Sequence, residues 1–192
     1  MKKKKTPIWQ WVALVVLLFW AYKFYQESFQ SDGRKITHQI DSKIGHTTFV
    51  AQSVLVAEEN LEFQDGKIYY AAKGELNIPV PSDSVPLVPT LTEAGRNPLF
   101  YGTDGKWFNA NTKESDLIAG IHASTKCFDE SPYNSMPQWQ TAKQNIPNGN
   151  VYVEIEYFEK NDAPESIGDN KGVSSFIYDS SNKMFFYIYC NY

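Results

Sequence analysis

Residues 151–158 read VYVEIEYF and carry the clearest strand signal in the chain. Apolar residues recur here at every second position, which is the spacing of a β-strand and not of a helix. One predicted face carries Val151, Val153, Ile155 and Tyr157, and the opposite face carries Tyr152, Glu154, Glu156 and Phe158. Because two of its four side chains are glutamates, we expect the second face to be solvated.

The chain ends in a second strong strand signal. Residues 172–178 (GVSSFIY) and 183–190 (KMFFYIYC) predict a hairpin that turns at residues 179–182 (DSSN). Six consecutive apolar or aromatic residues precede Cys190. Such a run on an exposed edge would promote aggregation, so it predicts a central strand that is covered on both faces.

Further strands are predicted upstream. Residues 46–57 (HTTFVAQSVLVA) are rich in β-branched residues, and residues 61–70 contain an Asp65-Gly66 pair, which favours a hairpin turn with positive φ. Residues 99–108 (LFYGTDGKWF) predict another hairpin that turns at residues 102–105. Five prolines within residues 79–98 predict an irregular surface loop between these hairpins.

Two short helices complete the predicted head. Residues 112–124 suit a helix that Thr112 caps, with Glu114 and Asp116 in its first turn, and a further turn or more is expected around residues 138–143. The predicted fold class is therefore α+β: an N-terminal transmembrane helix followed by a β-rich exported domain with antiparallel hairpins and one or two short helices.

Residues 8–25 (IWQWVALVVLLFWAYKFY) predict a membrane-spanning helix. Eighteen helical residues measure about 27 Å, close to the roughly 30 Å hydrocarbon core of a bilayer. Polar residues interrupt the run only near its ends, where Gln and Lys side chains reach the headgroups. Aromatic residues mark both borders, as in other spans: Trp9 and Trp11 at one, Trp20 and Tyr22 at the other. A buried helix of a soluble protein is the alternative.

The flanking residues predict an uncleaved signal anchor. No small-x-small cleavage site follows the apolar run, as a cleaved signal peptide would require. Basic residues favour the cytoplasmic side, and four of them open the chain: Lys2, Lys3, Lys4 and Lys5. We therefore expect a single-pass protein of the inner (cytoplasmic) membrane with its N-terminus in the cytoplasm and its C-terminal domain in the periplasm or another extracytoplasmic space.

This orientation divides the chain into four parts. They are a basic cytoplasmic tail (1–7), the transmembrane signal anchor (8–25), a stalk (26–45) and the exported α+β domain (46–192). Five of the 18 basic residues lie before Gln26, which leaves 13 against all 22 acidic residues in 26–192 and a formal charge of −9. Nucleic acid is therefore not an expected partner, since its recognition depends on clustered Lys and Arg.

The only two cysteines, Cys127 and Cys190, are expected to form a disulfide. Exported domains mature in oxidising compartments, where an even number of cysteines favours pairing. Two buried free thiols are the alternative. The chain has no CxxC motif, so neither a thioredoxin-like redox motif nor a zinc knuckle is indicated.

Catalytic motifs are missing from the sequence. The three histidines, His38, His46 and His122, form neither HExxH nor a close pair, and no GxSxG, GxGxxG or GxxxxGK[ST] occurs. No metal site, catalytic residue or cofactor is predicted. The one carboxylate pair of interest is Glu154 and Glu156, whose strand spacing of about 7 Å falls within the range that glycosidases use.

Aromatic residues are abundant: 5 Trp, 12 Tyr and 12 Phe among 192 residues. Most belong to the predicted membrane borders and core. Four fall in or beside predicted loops, where they are candidates for binding a partner: Trp107, Phe108, Tyr133 and Trp139. Packing in the core is the alternative role for each of them.

Three functional hypotheses follow. The first is a membrane-anchored envelope protein whose exported domain is a non-catalytic binding, assembly or inhibitory module with an envelope protein partner. The second is a membrane-tethered envelope hydrolase that uses carboxylates. The third is a pilin-like or secretion-apparatus subunit, because an N-terminal membrane helix, a stalk, a β-rich head and a late disulfide resemble the layout of type IV pilins. The resemblance stops at the layout, since no acidic residue precedes Glu27 and no glycine precedes Gly33.

Overall fold

The computed structural model describes residues 15–20, 49–61, 66–78, 81, 85–92, 95–159 and 172–191. Residues 15–20 are helical (α1). Within the described stretches, no helix combines the length and the apolar character needed to cross a bilayer. The rest of the predicted span (8–14 and 21–25), the four lysines and the predicted stalk lie outside the described residues.

The described head is an α+β unit, as predicted, with an antiparallel sheet and two short helices. The helices are α2 (Ser115–Asp129) and α3 (Pro137–Asn145). The strands are β1 (Phe49–Leu61), β2 (Gly66–Leu76), β3 (Val88–Thr92), β4 (Gly95–Gly102), β5 (Phe108–Asn109), β6 (Val151–Glu159), β7 (Gly172–Asp179) and β8 (Met184–Asn191).

All eight strands belong to one sheet, in the order β1-β2-β8-β7-β6-β4-β3, with β5 also paired to β6. The β7–β8 hairpin forms at its predicted turn. The β1–β2 hairpin forms as well, but its last pair is Leu61 with Gly66, so Gly66 lies in β2 and not in the predicted turn with positive φ, and Asp65 lies outside the described residues. Strand β8 lies between β2 and β7, and six of its eight residues are buried. The prediction that the C-terminal apolar run forms a central strand is therefore confirmed.

The hairpin predicted at residues 99–108 is wrong. The turn exists, with Asp104 and Gly105 at positive φ (53° and 71°), but the strands on either side of it do not pair with each other. Both β4 and β5 pair with β6 instead, through Tyr101 opposite Phe158 and Phe108 opposite Val153. Residues 103–107 are thus a loop inserted between β4 and β5, the two strands that pair with the same edge of β6.

The proline-rich stretch 79–98 is more ordered than predicted, because part of it forms β3 and the start of β4. Proline lacks the N–H that a ladder requires, so it is tolerated mainly on edge strands. Strand β3 is the last strand on its side of the described sheet, and Pro89 lies within it.

Both helices pack on one face of the sheet, which we call the helical face. Its core joins α2 and α3 to side chains of β6, β7 and β8, and the largest of its fully buried residues include Phe128, Trp139 and Phe186. The ring centroids of Phe128 and Trp139 lie 4.4 Å apart. A second buried cluster occupies the opposite face, which we call the aromatic face because Phe49, Trp107 and a row of Tyr and Phe residues form it.

Helix α2 begins and ends later than the predicted 112–124. The hydroxyl of Thr112 accepts the Glu114 N–H at 3.1 Å, so Thr112 closes a turn before the helix and Glu114 is the extended N-cap. The helix then continues to Asp129, because Cys127 and Phe128 extend its buried face beyond the predicted end.

Gly120 lies in the middle of α2, where glycine normally costs stability. A Cβ at position 120 would overlap Cδ1 of Ile155 and lie 3.3 Å from the Phe158 ring. The absence of a side chain therefore lets α2 approach β6 closely.

We expect Gly120→Ala to lower the free energy of unfolding by about 1–3 kcal/mol, because overpacking outweighs the gain of up to about 1 kcal/mol in helix propensity. Urea unfolding of the single variant and of the Gly120→Ala/Ile155→Val double variant measures the effect. Removing Ile155 Cδ1 makes room for the new methyl group, so the Gly120→Ala change becomes neutral or stabilising in that background. A stabilising effect in the wild-type background would contradict the close approach.

The predicted disulfide is confirmed by the positions of its two cysteines. Cys127 in α2 and Cys190 in β8 are bonded, with their Cα atoms 6.4 Å apart, and no cysteine is left free. Both residues are buried in the core of the helical face. The bond fastens α2, which packs against β6, β7 and β8, to the central strand of the sheet.

Candidate functional site

A bulge in β6 is the main irregularity of the central sheet. Ile155 lies opposite Ser175 on β7, and Tyr157 lies opposite Ser174, so Glu156 is an extra residue without a Cα partner on that strand. Bulges re-aim side chains and occur frequently beside functional sites. This one reverses the alternation, so that Phe158 joins the core of the helical face and Tyr157 packs against Tyr189.

The residues between β4 and β5 form hydrogen bonds to the bulged part of β6 on the edge opposite β7. Thr103 bonds Ile155 twice through its side chain: the hydroxyl donates to the carbonyl at 3.2 Å and accepts the N–H at 3.1 Å. The Thr103 N–H also donates to that carbonyl at 2.8 Å. Gly102 is needed next to it, because a Cβ there would overlap the backbone carbonyl of Glu156. Two residues that the sequence assigned to a hairpin turn, Gly102 and Thr103, thus shape the bulge.

The bulge places Glu156 next to hydroxyl groups of the neighbouring strands. The Ser174 hydroxyl on β7 donates to Glu156 Oε2 and lies 3.2 Å from the Tyr187 hydroxyl on β8. Since a serine hydroxyl carries only one proton, Tyr187 supplies the proton of the second hydrogen bond. A chain of three polar groups therefore runs across three strands on the aromatic face.

Glu154 is buried beside this chain, only 3% exposed. Its Cα partner on β7 is Phe176, which in turn lies opposite Tyr187. The prediction of a solvated face is therefore wrong for Glu154. The alternation correctly placed it opposite the apolar face of β6, but the second face of this sheet is also covered.

Burial, and to a smaller extent the charge of Glu156, raise the pKa of Glu154 to about 8. A carboxyl group loses its hydration on burial and then favours the neutral form. Glu154 is therefore protonated at neutral pH in the folded protein.

Aromatic rings cluster on the face of the sheet that carries the two glutamates. Phe176 stacks on Tyr187 with centroids 4.8 Å apart, and Trp107 lies 6.5 Å from Phe176. Tyr157 and Tyr189 meet edge to face at 6.2 Å, and burial is the main cause that raises the pKa of the Tyr157 hydroxyl. Within the described part of the chain, the Trp107 Nε1 has no hydrogen-bond partner.

The cluster places a protonated carboxyl group, that of Glu154, two residues along β6 from a second glutamate, Glu156. Enzymes that use two carboxylates often hold one of them protonated. Catalysis also requires that the acid reach a substrate within hydrogen-bond distance. With 3% of its surface exposed, Glu154 cannot do so in the folded head.

The aromatic candidates from the sequence lie in three different places. Trp107 is in the aromatic face, whereas Phe108 and Trp139 belong to the core of the helical face, and each is no more than 2% exposed. These three side chains therefore pack in the core, the alternative role considered for them. Their part in binding stays a prediction.

Tyr133 is half-buried and differs from the other candidates. Its hydroxyl donates to Glu58 of β1, and this hydrogen bond raises its pKa to about 12. A phenol holds its proton more tightly when it donates that proton in a hydrogen bond to a carboxylate. Tyr133 thus ties the α2–α3 connection to the outer strand of the sheet.

The histidines do not gather with the acidic residues. His122 is exposed on α2, and His38 and His46 lie outside the described residues. The described stretches contain no group of three or more His, Cys, Asp or Glu residues that could hold a metal ion. Among the described anchor-flank residues, Trp20 is 66% exposed.

No family model matches this chain, and no curated protein or solved structure is significantly similar to it.

Two members of the polar chain, Ser174 and Tyr187, were missed by the sequence analysis. Strand alternation alone puts Ser174 on the same face as Phe176, and Tyr187 on the same face as Phe185. A polar residue at such a position within a run predicted to be buried is a usable signal, because buried polar groups require partners. Which strand supplies the partner depends on the sheet order, which this signal does not contain.

Proposed function

We propose that this protein is a single-pass, membrane-anchored envelope protein whose C-terminal head is exported and acts as a non-catalytic binding, assembly or inhibitory module. The anchor is the predicted span 8–25, and the head is the α+β domain. The two parts of the proposal are supported by different observations.

Exposed apolar residues on α1 support the anchor most directly. All six described residues of α1 are large and apolar, and each is between 49% and 68% exposed: Val15, Val16, Leu17, Leu18, Phe19 and Trp20. A helix that is apolar around its whole circumference belongs in a protein core or in a membrane. Because these side chains are not buried against the head, lipid is the apolar medium that suits them.

The orientation can be tested through the lysines at residues 2–5. Replacing all four by glutamate removes the basic flank that holds the N-terminus in the cytoplasm, so we expect export of the head to fall severalfold. The activity of a C-terminal alkaline phosphatase fusion measures export. The matched control replaces the same four lysines by arginine, which keeps the charge and is expected to preserve export. Equal export by both variants would contradict the proposed orientation.

The head is proposed as a binding module because its buried acid has no access to a substrate. Glu154 is buried and Glu156 is half-buried on the face that carries the aromatic cluster, so the pair suits a structural role better than contact with a substrate. Affinity capture of the detergent-solubilised full chain tests the proposal. A stoichiometric envelope partner supports it, and repeated absence of any partner, including a second copy, counts against it.

A membrane-tethered hydrolase is the second candidate, favoured by the raised pKa of Glu154 beside Glu156. Hydrolysis by this pair would require the aromatic face to open. Glu156→Gln removes one carboxylate while it keeps a group that can accept the Ser174 hydrogen bond. If function survives in this variant with the fold intact, the carboxylate mechanism is excluded.

A further inference from the structure

The two outer strands of the described sheet differ in how they are protected against further pairing. Strand β3 is five residues long and contains Pro89. Strand β1 is thirteen residues long and contains no proline, glycine or lysine. Proline, charge and short length are the usual devices that block edge strands. By these criteria β3 is protected and β1 is open along its first half.

The first half of β1 is also apolar and exposed. Residues 50–55 are all exposed, and they include Val50 (64%), Val54 (46%) and Leu55 (45%). On its inner side β1 pairs with β2 through most of its length. Among the described strands, nothing pairs with its outer side. A long apolar edge of this kind is a template for another strand.

We propose that the exposed edge of β1 pairs antiparallel with β1 of a second copy of this chain, across a two-fold axis near residue 53. This inference rests in part on the proposed function, because anchoring in one membrane raises the effective concentration of copies that face the same way. A second copy of this chain is thus the first partner that we propose for the binding head.

The charge pattern of β1 favours a second copy in this orientation. Residues 49–57 carry no charge, and Glu58 and Glu59 lie together toward the C-terminal end. In an antiparallel pair centred near residue 53, the glutamates of the two copies lie at opposite ends, about 40 Å apart. A parallel pair would set them side by side, where like charges destabilise the pairing.

Two bulges in β1 limit what can form on this edge. The register with β2 shifts between residues 51 and 53 and again between residues 54 and 56. Bulges bend and twist a strand, which discourages long, flat sheet growth. A two-fold pair uses the same edge on both copies, and the remaining outer strand is the proline-containing β3. The expected assembly is therefore a closed dimer and not a fibre.

The location of β1 in the chain supports the same partner. The predicted membrane helix ends at residue 25 and β1 begins at residue 49, so β1 is the described strand with the shortest connection to the anchor. The edge pairing of two single strands buries less surface than a stable soluble dimer requires. Confinement to one membrane offsets that deficit without any further contact.

The mass of the full-length protein in nanodiscs and in mild detergent tests the dimer. We expect wild type to be dimeric and Val54→Lys to raise the dissociation constant at least about tenfold, because the two new lysines lie on one face of the pair, diagonally across the axis, and repel each other. Ile118→Lys is the matched control: Ile118 is 45% exposed on α2, and its substitution is expected to leave the dimer unchanged. Equal melting temperatures of the three proteins establish that each is folded.

Crosslinking in native membranes gives a second measurement. The native cysteines are paired, so Ser53→Cys introduces a single free thiol, and oxidation is expected to yield a covalent dimer. Ser115→Cys, exposed at the start of α2, is expected to yield none. The proposal is overturned by a monomeric wild type, by a dimer that survives Val54→Lys, by equal loss in Ile118→Lys, or by a different protein bound at β1. Export of the head is measured separately, so failure of the anchor and failure of the dimer are distinguishable.

Discussion

Replacement of both Cys127 and Cys190 by alanine is expected to lower the free energy of unfolding by about 4 kcal/mol. The bond spans a sequence separation of 63 residues. In the loop-entropy model, cross-linking a loop of this length removes about that much conformational freedom from the unfolded chain. Small domains have only about 5–15 kcal/mol of stability in total, so the disulfide supplies a large share.

Urea unfolding with and without reductant measures this effect. Reduced wild type and the double alanine variant are expected to have similar midpoints, and reductant is expected to leave the variant unchanged. Because both residues are no more than 2% exposed, reduction of the folded wild type should be slow and should speed up as urea opens the head. A loss of less than 1 kcal/mol in the variant would contradict a structural role for the bond.

Local sequence patterns predicted the strands well where the residues of a strand and of its adjoining turn determine how that strand pairs. Residues 179–182 join two runs that are adjacent in sequence, and that hairpin forms as predicted. The β1–β2 hairpin also joins neighbouring segments, although Gly66 lies in β2 and not in a turn with positive φ. The last strand is central because its apolar run needs cover on both faces. The disulfide was also predictable, since only one pairing of two cysteines exists.

The predictions that were wrong concern features that depend on contacts between segments far apart in the sequence. Residues 102–105 have the composition of a hairpin turn, and only the presence of β6 shows that β4 and β5 both pair with that strand. The bulge at Glu156 likewise depends on the hydrogen bonds that Thr103 makes to Ile155 from 52 residues away. No pattern within residues 151–158 indicates the change of face at Tyr157.

The predicted environment of the glutamates failed for a related reason. A strand of alternating polarity in an antiparallel sheet usually has one face exposed to solvent. The two glutamates were therefore expected to be solvated. The cover on this face comes from Phe49 and Trp107 together with aromatic side chains of β7 and β8. Burial of Glu154 therefore reflects the assembly of several distant segments, whereas its position on the strand follows from local alternation.

Glu154→Gln is expected to remove a large pH dependence from the stability of the head. The folded pKa of Glu154 is about 8, against an ordinary value of 4.5. Between these values the folded state binds a proton that the unfolded state has released, so stability decreases as pH rises through this window. The stabilisation is fully present below pH 4.5 and is lost as pH rises to about 8. The full shift corresponds to about 5 kcal/mol.

Glutamine keeps the shape of the protonated acid and cannot ionise. We therefore expect Glu154→Gln to resemble wild type at pH 5 and to be more stable by several kcal/mol at pH 9, as measured by urea unfolding across this range. Glu59→Gln is the matched control, because it makes the same substitution at an exposed strand residue and should leave the pH dependence unchanged.

Removal of the Glu156 charge separates the two causes that raise the pKa of Glu154. Burial is the larger cause and the charge of Glu156 the smaller one, so Glu156→Gln should reduce the pH dependence without abolishing it. If Glu156→Gln abolished it completely, repulsion between the two carboxylates and not burial would control Glu154. If Glu154→Gln were as sensitive to pH as wild type, Glu154 would be solvated and the closed aromatic face would be wrong.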